Sequence, residues 1–236
     1  RHERAVGTGE DRRRNAEHIA GDERVRQRAR ERQPAGQLRR GQRAAGGDRK
    51  LVVDAIALAI ADVGADVVLV GRDRESLEKT AADIRQFGRT ANILVGDVGV
   101  PSECEELCQQ ALDQFGPFDI LINNVGGRRI NVPLEDQTLE QWRQILDINL
   151  TSTFLCTKLI GGAMVARGQG GRVINIASIS SILPLSRVVA YSASKAAVLN
   201  FTQWLAREWA TTGVRVNAIT PGFFPAEQNR RMLLKD

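Results

Sequence analysis

The stretch Asp66-Val-Val-Leu-Val-Gly-Arg-Asp-Arg-Glu-Ser-Leu-Glu-Lys-Thr-Ala-Ala-Asp-Ile-Arg-Gln-Phe-Gly-Arg-Thr-Ala-Asn-Ile-Leu-Val-Gly-Asp97 decides the fold. Its first five residues form a short, nearly continuous apolar run that ends at Gly71, the pattern of a strand buried on both faces. From Ser76 to Phe87 the period changes, and Leu77, Ala81 and Ile84 fall on one side of a helix that Gly88 stops. Ala91-Asn-Ile-Leu-Val95 is a second apolar strand, and Asp97 follows it. Two strands separated by a helix of that length need a crossover, so they run parallel.

The alternation continues in both directions. Leu51–Val63 is helical in length and alanine content. Pro101–Phe115 is a helix with Leu107, Cys108, Ala111, Leu112 and Phe115 inward, and Phe118-Asp-Ile-Leu-Ile122 is a strand that runs into Asn123-Asn-Val-Gly-Gly127. Thr138 with Gln141 three residues on forms a capping box for a long helix that holds Trp142, Ile145, Ile148, Leu150 and Phe154. Arg172-Val-Ile-Asn-Ile-Ala177 is a strand, a helix runs from Tyr191 to about Thr211, and Val214-Arg-Val-Asn-Ala-Ile219 is a further strand. The expected class is therefore α/β, a Rossmann-like doubly wound parallel sheet in a single domain.

Residues 1–50 are different. They hold 15 Lys+Arg against 8 Asp+Glu and no aromatic residue, which leaves 18 against 20 for the rest of a chain whose net charge is +5. A segment with so few apolar side chains cannot offset its ordering entropy, so 1–50 reads as a disordered basic segment and 51–236 as the folded domain. A nucleic-acid-binding arm is the sharper reading of that charge, but no base-reading motif accompanies it, and no nucleic-acid partner is expected.

Both histidines, His2 and His18, lie in this segment, which argues against a Ser-His-Asp hydrolase in the folded part. Cys104, Cys108 and Cys156 make no even disulfide framework, so no metal site is expected and the first two read as the apolar side of a helix. No uninterrupted apolar run reaches membrane-spanning length and no signal peptide is visible, so the expected location is cytoplasmic, with no membrane partner.

The candidate chemistry falls at the carboxyl ends of the strands, where open α/β sheets bind ligands. Asp97, Asn123, Asn124, Ser178 and the Pro221-Gly222 turn all sit there. Tyr191 and Lys195 are four apart, so a helix puts them on one face, and an ammonium close to a phenol favours its deprotonated form.

In order and spacing, Asn123-Asn-Val-Gly126, Asn149 within Asp-Ile-Asn-Leu, Ser178, Tyr191-Ser-Ala-Ser-Lys195 and Val216-Asn-Ala-Ile-Thr-Pro-Gly222 resemble the motifs of the short-chain dehydrogenase/reductase family, over about residues 51–236. The resemblance implies hydride transfer between a nicotinamide dinucleotide and an alcohol or carbonyl substrate. It implies Tyr191 as general acid/base, Lys195 as the group that holds the nicotinamide ribose and assists the tyrosine, Ser178 as donor to the substrate oxygen, and Asn149 as the anchor of a water relay. For the cofactor it implies contacts at Asp97, Val98, Asn123, Tyr191, Lys195, Pro221 and Gly222. Where an NAD-preferring member carries an acidic residue, this chain has Gly71-Arg72, and an arginine suits the 2′-phosphate of NADP. A homo-oligomer is implied by resemblance alone.

Two departures accompany the resemblance. The family's first strand and its Gly-rich phosphate loop are not legible: Leu51 and Val53 stand where two glycines belong, and Leu38-Arg-Arg-Gly-Gln-Arg-Ala-Ala45 is no buried strand. An out-of-frame origin of residues 1–50 would account for this, and the family's last strand is also absent from the sequence. A non-catalytic Rossmann-like binding protein is the alternative that these departures favour. The run Pro221-Gly-Phe-Phe-Pro-Ala-Glu-Gln-Asn-Arg230 is similar to that of sugar-acid members such as mannonate (fructuronate) oxidoreductases and gluconate 5-dehydrogenases, with Arg128 or Arg129 as candidate partners of a substrate carboxylate.

Overall fold

A computed structural model describes residues 49–127, 130–183 and 185–222, all within the unit Gly47–Asp236. Its elements follow the alternation expected from the sequence. In chain order they are α1 (Arg49–Asp62), β1 (Val67–Gly71), α2 (Arg74–Arg85), β2 (Ala91–Val95), α3 (Pro101–Phe115) and β3 (Ile120–Asn123). Then come a long helix α4 (Leu139–Arg167), β4 (Gly171–Ile176), α5 (Val189–Glu208) and β5 (Val214–Ile219).

Local chemistry sets the ends. Asp73 caps α2 by accepting a hydrogen bond from the Ser76 backbone at 3.3 Å, so the helix begins before Ser76. Thr138 and Gln141 form the expected reciprocal capping box at the start of α4. Gly88, at φ +70°, takes the left-handed conformation that lets the chain leave α2, as a C-terminal glycine does.

All pairings are parallel. β1 pairs with β2 in the register Val67↔Ala91, while β3 pairs with β4 (Ile120↔Arg172) and β4 with β5 (Gly171↔Val214). The sheet is thus in two parts, β1-β2 and β3-β4-β5. Among the described residues no further strand pairs with the free edge of β1 or of β3, and both edges line one cleft. One consequence is that Ile120 is 40% exposed, although it belongs to a run suited to burial on both faces.

Two apolar clusters fill the interior, and the larger reaches both parts of the sheet through Leu94, Val68 and Val70. Ala57 and Ala61 of α1 pack with Val67, Leu69, Ala81, Ile84 and Ala91. The larger core joins α3, α4 and α5 to β4 and β5 through Leu107, Leu155, Met164, Val173, Leu205 and Val216. The run Leu139–Arg167 is long and apolar enough to pass for a membrane span, yet half of its most apolar window is buried within the protein. Ile145, Ile148, Leu155 and Met164 are buried, as in a core helix. Two turns of α4, Asp147–Thr151 and Thr157–Gly161, are wound as π-helix. Such turns are frequent at functional sites, and the first carries Asn149.

Candidate active site

The carboxyl ends of the strands open into a cleft of about 1180 Å³. Gly71, Arg72, Asp97, Val98, Asn123, Asn124, Ser178, Tyr191, Lys195, Pro221 and Gly222 all line it. Of the expected site residues that are described, Asn149 alone is absent from this lining, and it is fully buried against Gly127 of the wall.

Ser178 follows β4 and is buried, and its Oγ accepts a hydrogen bond from the Ser180 backbone at 3.2 Å. Tyr191 lies in the first turn of α5, packed with Ile145, Val188 and Ala190. Lys195 sits one turn later at only 3% exposure, and its Nζ donates to the Ile176 carbonyl at 2.7 Å. A buried ammonium needs such a partner, and this one holds it two residues before Ser178. Asn149 Oδ1 accepts from the Gly127 backbone at 2.7 Å, while Nδ2 donates to the carbonyls of Gly127 at 3.2 Å and Ile145 at 2.8 Å. The loop after β3 is thereby clamped to α4.

Gly126 shows how tightly these groups meet. A Cβ there would lie 2.6 Å from Asn149 Oδ1 and 2.8 Å from Lys195 Nζ, so only glycine fits between them. The carboxamide and the ammonium therefore flank the same atom, although they come from different helices.

At the other end of the cleft, Asp97 accepts from the Gly99 backbone through Oδ1 at 2.8 Å and pairs with Arg72 Nη1 through Oδ2 at 3.3 Å. The Arg72 side chain is 62% exposed, so it keeps donors for a ligand. Val98 is buried beside it. The Ile179 backbone donates to the Pro221 carbonyl at 3.0 Å, which joins the turn after β5 to the segment after β4.

The side chain of Asn123 is used differently from the contact that the resemblance implies. Its Nδ2 donates to Thr157 Oγ1 at 3.0 Å and to Asn175 Oδ1 at 2.8 Å, and Asn175 in turn donates to Thr202 at 2.9 Å. This buried chain ties β3, β4, α4 and α5 together. Asn175 and Thr202 carried no signal of that role, because each looks like an ordinary residue of its strand or helix.

Arg128, Arg129, the phosphate-loop positions before residue 49 and the run after Gly222 lie outside the described residues, as does the side chain of Leu51. Val53 of α1 lines the cleft. The three cysteines, expected only as apolar packing, converge: Cys104 and Cys108 of α3 bring their Sγ atoms to 3.7 Å and 3.6 Å from that of Cys156 on α4.

The cleft suits a nicotinamide dinucleotide, with a cation and a carboxylate at one end and a phenol, an ammonium and a hydroxyl at the other. Glycine 126 keeps the loop between them close to Asn149 and Lys195. Comparison with known proteins agrees. The short chain dehydrogenase family model matches residues 52–234. A 3-oxoacyl-(acyl-carrier-protein) reductase from Synechocystis sp. is 35% identical over 75% of this chain and 72% of its own length. A gluconate 5-dehydrogenase from Gluconobacter oxydans is 33% identical over 75% of this chain and 69% of its own. A crystal structure of a gluconate 5-dehydrogenase from Burkholderia cenocepacia, in complex with NADP and tartrate, superposes with a TM-score of 0.68 at 29% identity, covering 77% of this chain and 71% of that one. The chain belongs to the short-chain dehydrogenase/reductase family and is an NAD(P)-dependent oxidoreductase.

Proposed function

We propose that residues 51–236 form a dehydrogenase/reductase domain that interconverts a secondary alcohol and a carbonyl on a sugar-acid substrate, with Tyr191 as general acid/base. The observation that carries this reading is the convergence of Ser178, Tyr191 and Lys195 on one cleft, with Asn149 directly behind it. The bound cofactor supplies or accepts the hydride. The work of the protein is to hold the substrate oxygen and to move one proton.

In the reducing direction the Tyr191 hydroxyl gives its proton to the substrate oxygen as negative charge develops there. Ser178 donates a second hydrogen bond to the same oxygen and fixes its position. Lys195, one helical turn from Tyr191 and anchored on the Ile176 carbonyl, is assigned to hold the nicotinamide ribose. Asn149 keeps the Gly126-Gly127 backbone in place against the Lys195 ammonium, and we assign it the anchoring of the water relay that returns the proton from solvent. Oxidation runs the same steps in reverse.

For cofactor choice, Arg72 supports NADP over NAD, because an exposed guanidinium at the end of β1, paired with Asp97, suits a 2′-phosphate. For substrate, the support is the similarity to gluconate 5-dehydrogenases, among them the one whose structure holds NADP and tartrate. The protein is expected to act in the cytoplasm as a homo-oligomer. A spectrophotometric screen of hexonates, ketohexonates and neutral hydrophobic ketones with both cofactors tests the whole reading. Turnover of a ketohexonate with NADPH is the expected result, and preference for neutral hydrophobic ketones overturns the sugar-acid assignment.

A further inference from the structure

We infer that Cys104, Cys108 and Cys156 form a binding site for one soft, thiophilic metal ion of the copper(I) class, held by three sulfur ligands at the junction of α3 and α4. None of the three is assigned a part in the proton chemistry above.

The geometry is that of an ion site more than of a disulfide. The Sγ separations are 3.7 Å between Cys104 and Cys156 and 3.6 Å between Cys108 and Cys156, and all three sulfurs lie within 4.8 Å of one another. Metal–thiolate bonds of about 2.3 Å place the sulfurs around a shared ion about 3.8–4.0 Å apart. The observed spacing reaches that with shifts of tenths of an ångström. A disulfide needs about 2.05 Å, well over an ångström less than either separation.

The helix register explains the arrangement. Cys104 and Cys108 are four apart on α3 and present both sulfurs on one face, and Cys156 projects from α4 against them. Cys104 is fully buried and Cys108 nearly so, with Leu107, Ala111 and Leu155 in the same cluster. Among the described residues no fourth cysteine, histidine or carboxylate joins the group. A structural zinc site takes four ligands, whereas soft thiolates select copper(I), which accepts three. The thiols release their protons as the ion enters. Cys108 and Cys156 line the cleft, which gives the ion a route and the protons an exit to water. No electron is transferred in this step.

The test is a titration of the reduced full-length protein with copper(I), supplied anaerobically as its acetonitrile complex, against a chromophoric copper(I) chelator. One ion per chain, a sulfur-to-copper absorption band and, compared with the metal-free protein in the same denaturant, protection of three thiols from Ellman's reagent are expected. Cys156→Ser, at the cleft edge, should weaken binding about a hundredfold or more while leaving the circular dichroism spectrum unchanged. Should that variant misfold, the wild-type stoichiometry and thiol protection decide alone. Fewer than three protected thiols, tighter retention of zinc(II) than of copper(I), or a disulfide in protein purified without reductant would each overturn the proposal.

Discussion

Asn149 and Gly127 bond to each other in both directions, the carboxamide oxygen accepting from the Gly127 N–H at 2.7 Å and its nitrogen donating to the Gly127 carbonyl at 3.2 Å. A side chain on a π-wound turn of α4 therefore acts as a second backbone for the loop after β3, and that loop in turn packs against Lys195.

Gly126→Ala should damage the site through this clamp. Its Cβ would sit 2.6 Å from Asn149 Oδ1 and 2.8 Å from Lys195 Nζ, so the ammonium or the loop must shift. A displacement on the scale of an ångström costs about a hundredfold in kcat. Steady-state kinetics should show kcat falling more than KM rises, and an unchanged kcat would contradict the packing.

Asn149→Ala leaves the Gly127 backbone and the Ile145 carbonyl without their buried partner. Loss of about 1–3 kcal/mol of stability is expected, together with lower turnover. Urea denaturation and kcat measured on the same preparation check both. A drop in stability with full activity would confine Asn149 to a structural role.

Tyr191→Phe keeps the buried ring among Ile145, Val188 and Ala190 and removes only the hydroxyl. Turnover should fall about 10²–10⁴-fold, the usual contribution of a general acid/base, while NADPH binding measured by fluorescence stays near that of the wild type. Activity within threefold of wild type would remove Tyr191 from the proton step.

Arg72→Glu places a second carboxylate beside Asp97, where the guanidinium now stands 3.3 Å away. Charge-assisted hydrogen bonds contribute about 1.5–3 kcal/mol, so kcat/KM with NADPH should fall about tenfold or more while that with NADH changes little. An equal loss with both cofactors would show that Arg72 does not read the 2′-position.

Asp66 supplies a pH prediction. Its Oδ1 accepts from the Thr90 backbone at 2.7 Å and its Oδ2 pairs with Arg89 at 2.8 Å, and the backbone hydrogen bond first of all holds its carboxyl below the ordinary carboxylate range. A carboxylate depressed in the folded state contributes stability above its unfolded pKa and loses that contribution as the pH falls through the folded one. The stability gap between wild type and Asp66→Asn should be full at pH 6 and close steadily below about pH 4. A gap independent of pH would refute the assignment. The group is exposed, so the effect is small.

The order of elements, their types and most of their bounds were legible because they follow from local periodicity: Ala91–Val95, Pro101–Phe115 and Val214–Ile219 stand as the pattern predicts. Ser178, Tyr191 and Lys195 were legible for the same reason, since a strand end and one helical turn place them. The inward commitment of Asn123 to Asn175, 52 residues away, was not, nor was the Arg72–Asp97 pair across 25 residues.

By itself the sequence determined the α/β alternation, the parallel crossovers and which residues reach the carboxyl ends of the strands. Those are consequences of side-chain period and chain order. Only the tertiary structure decided that Asn123 turns inward to Asn175, that Asn149 clamps Gly127, and that three sulfurs from two helices share one point. Each of these depends on how far apart two packed elements come to rest. Packing sets that distance in tenths of an ångström, and no local pattern encodes it.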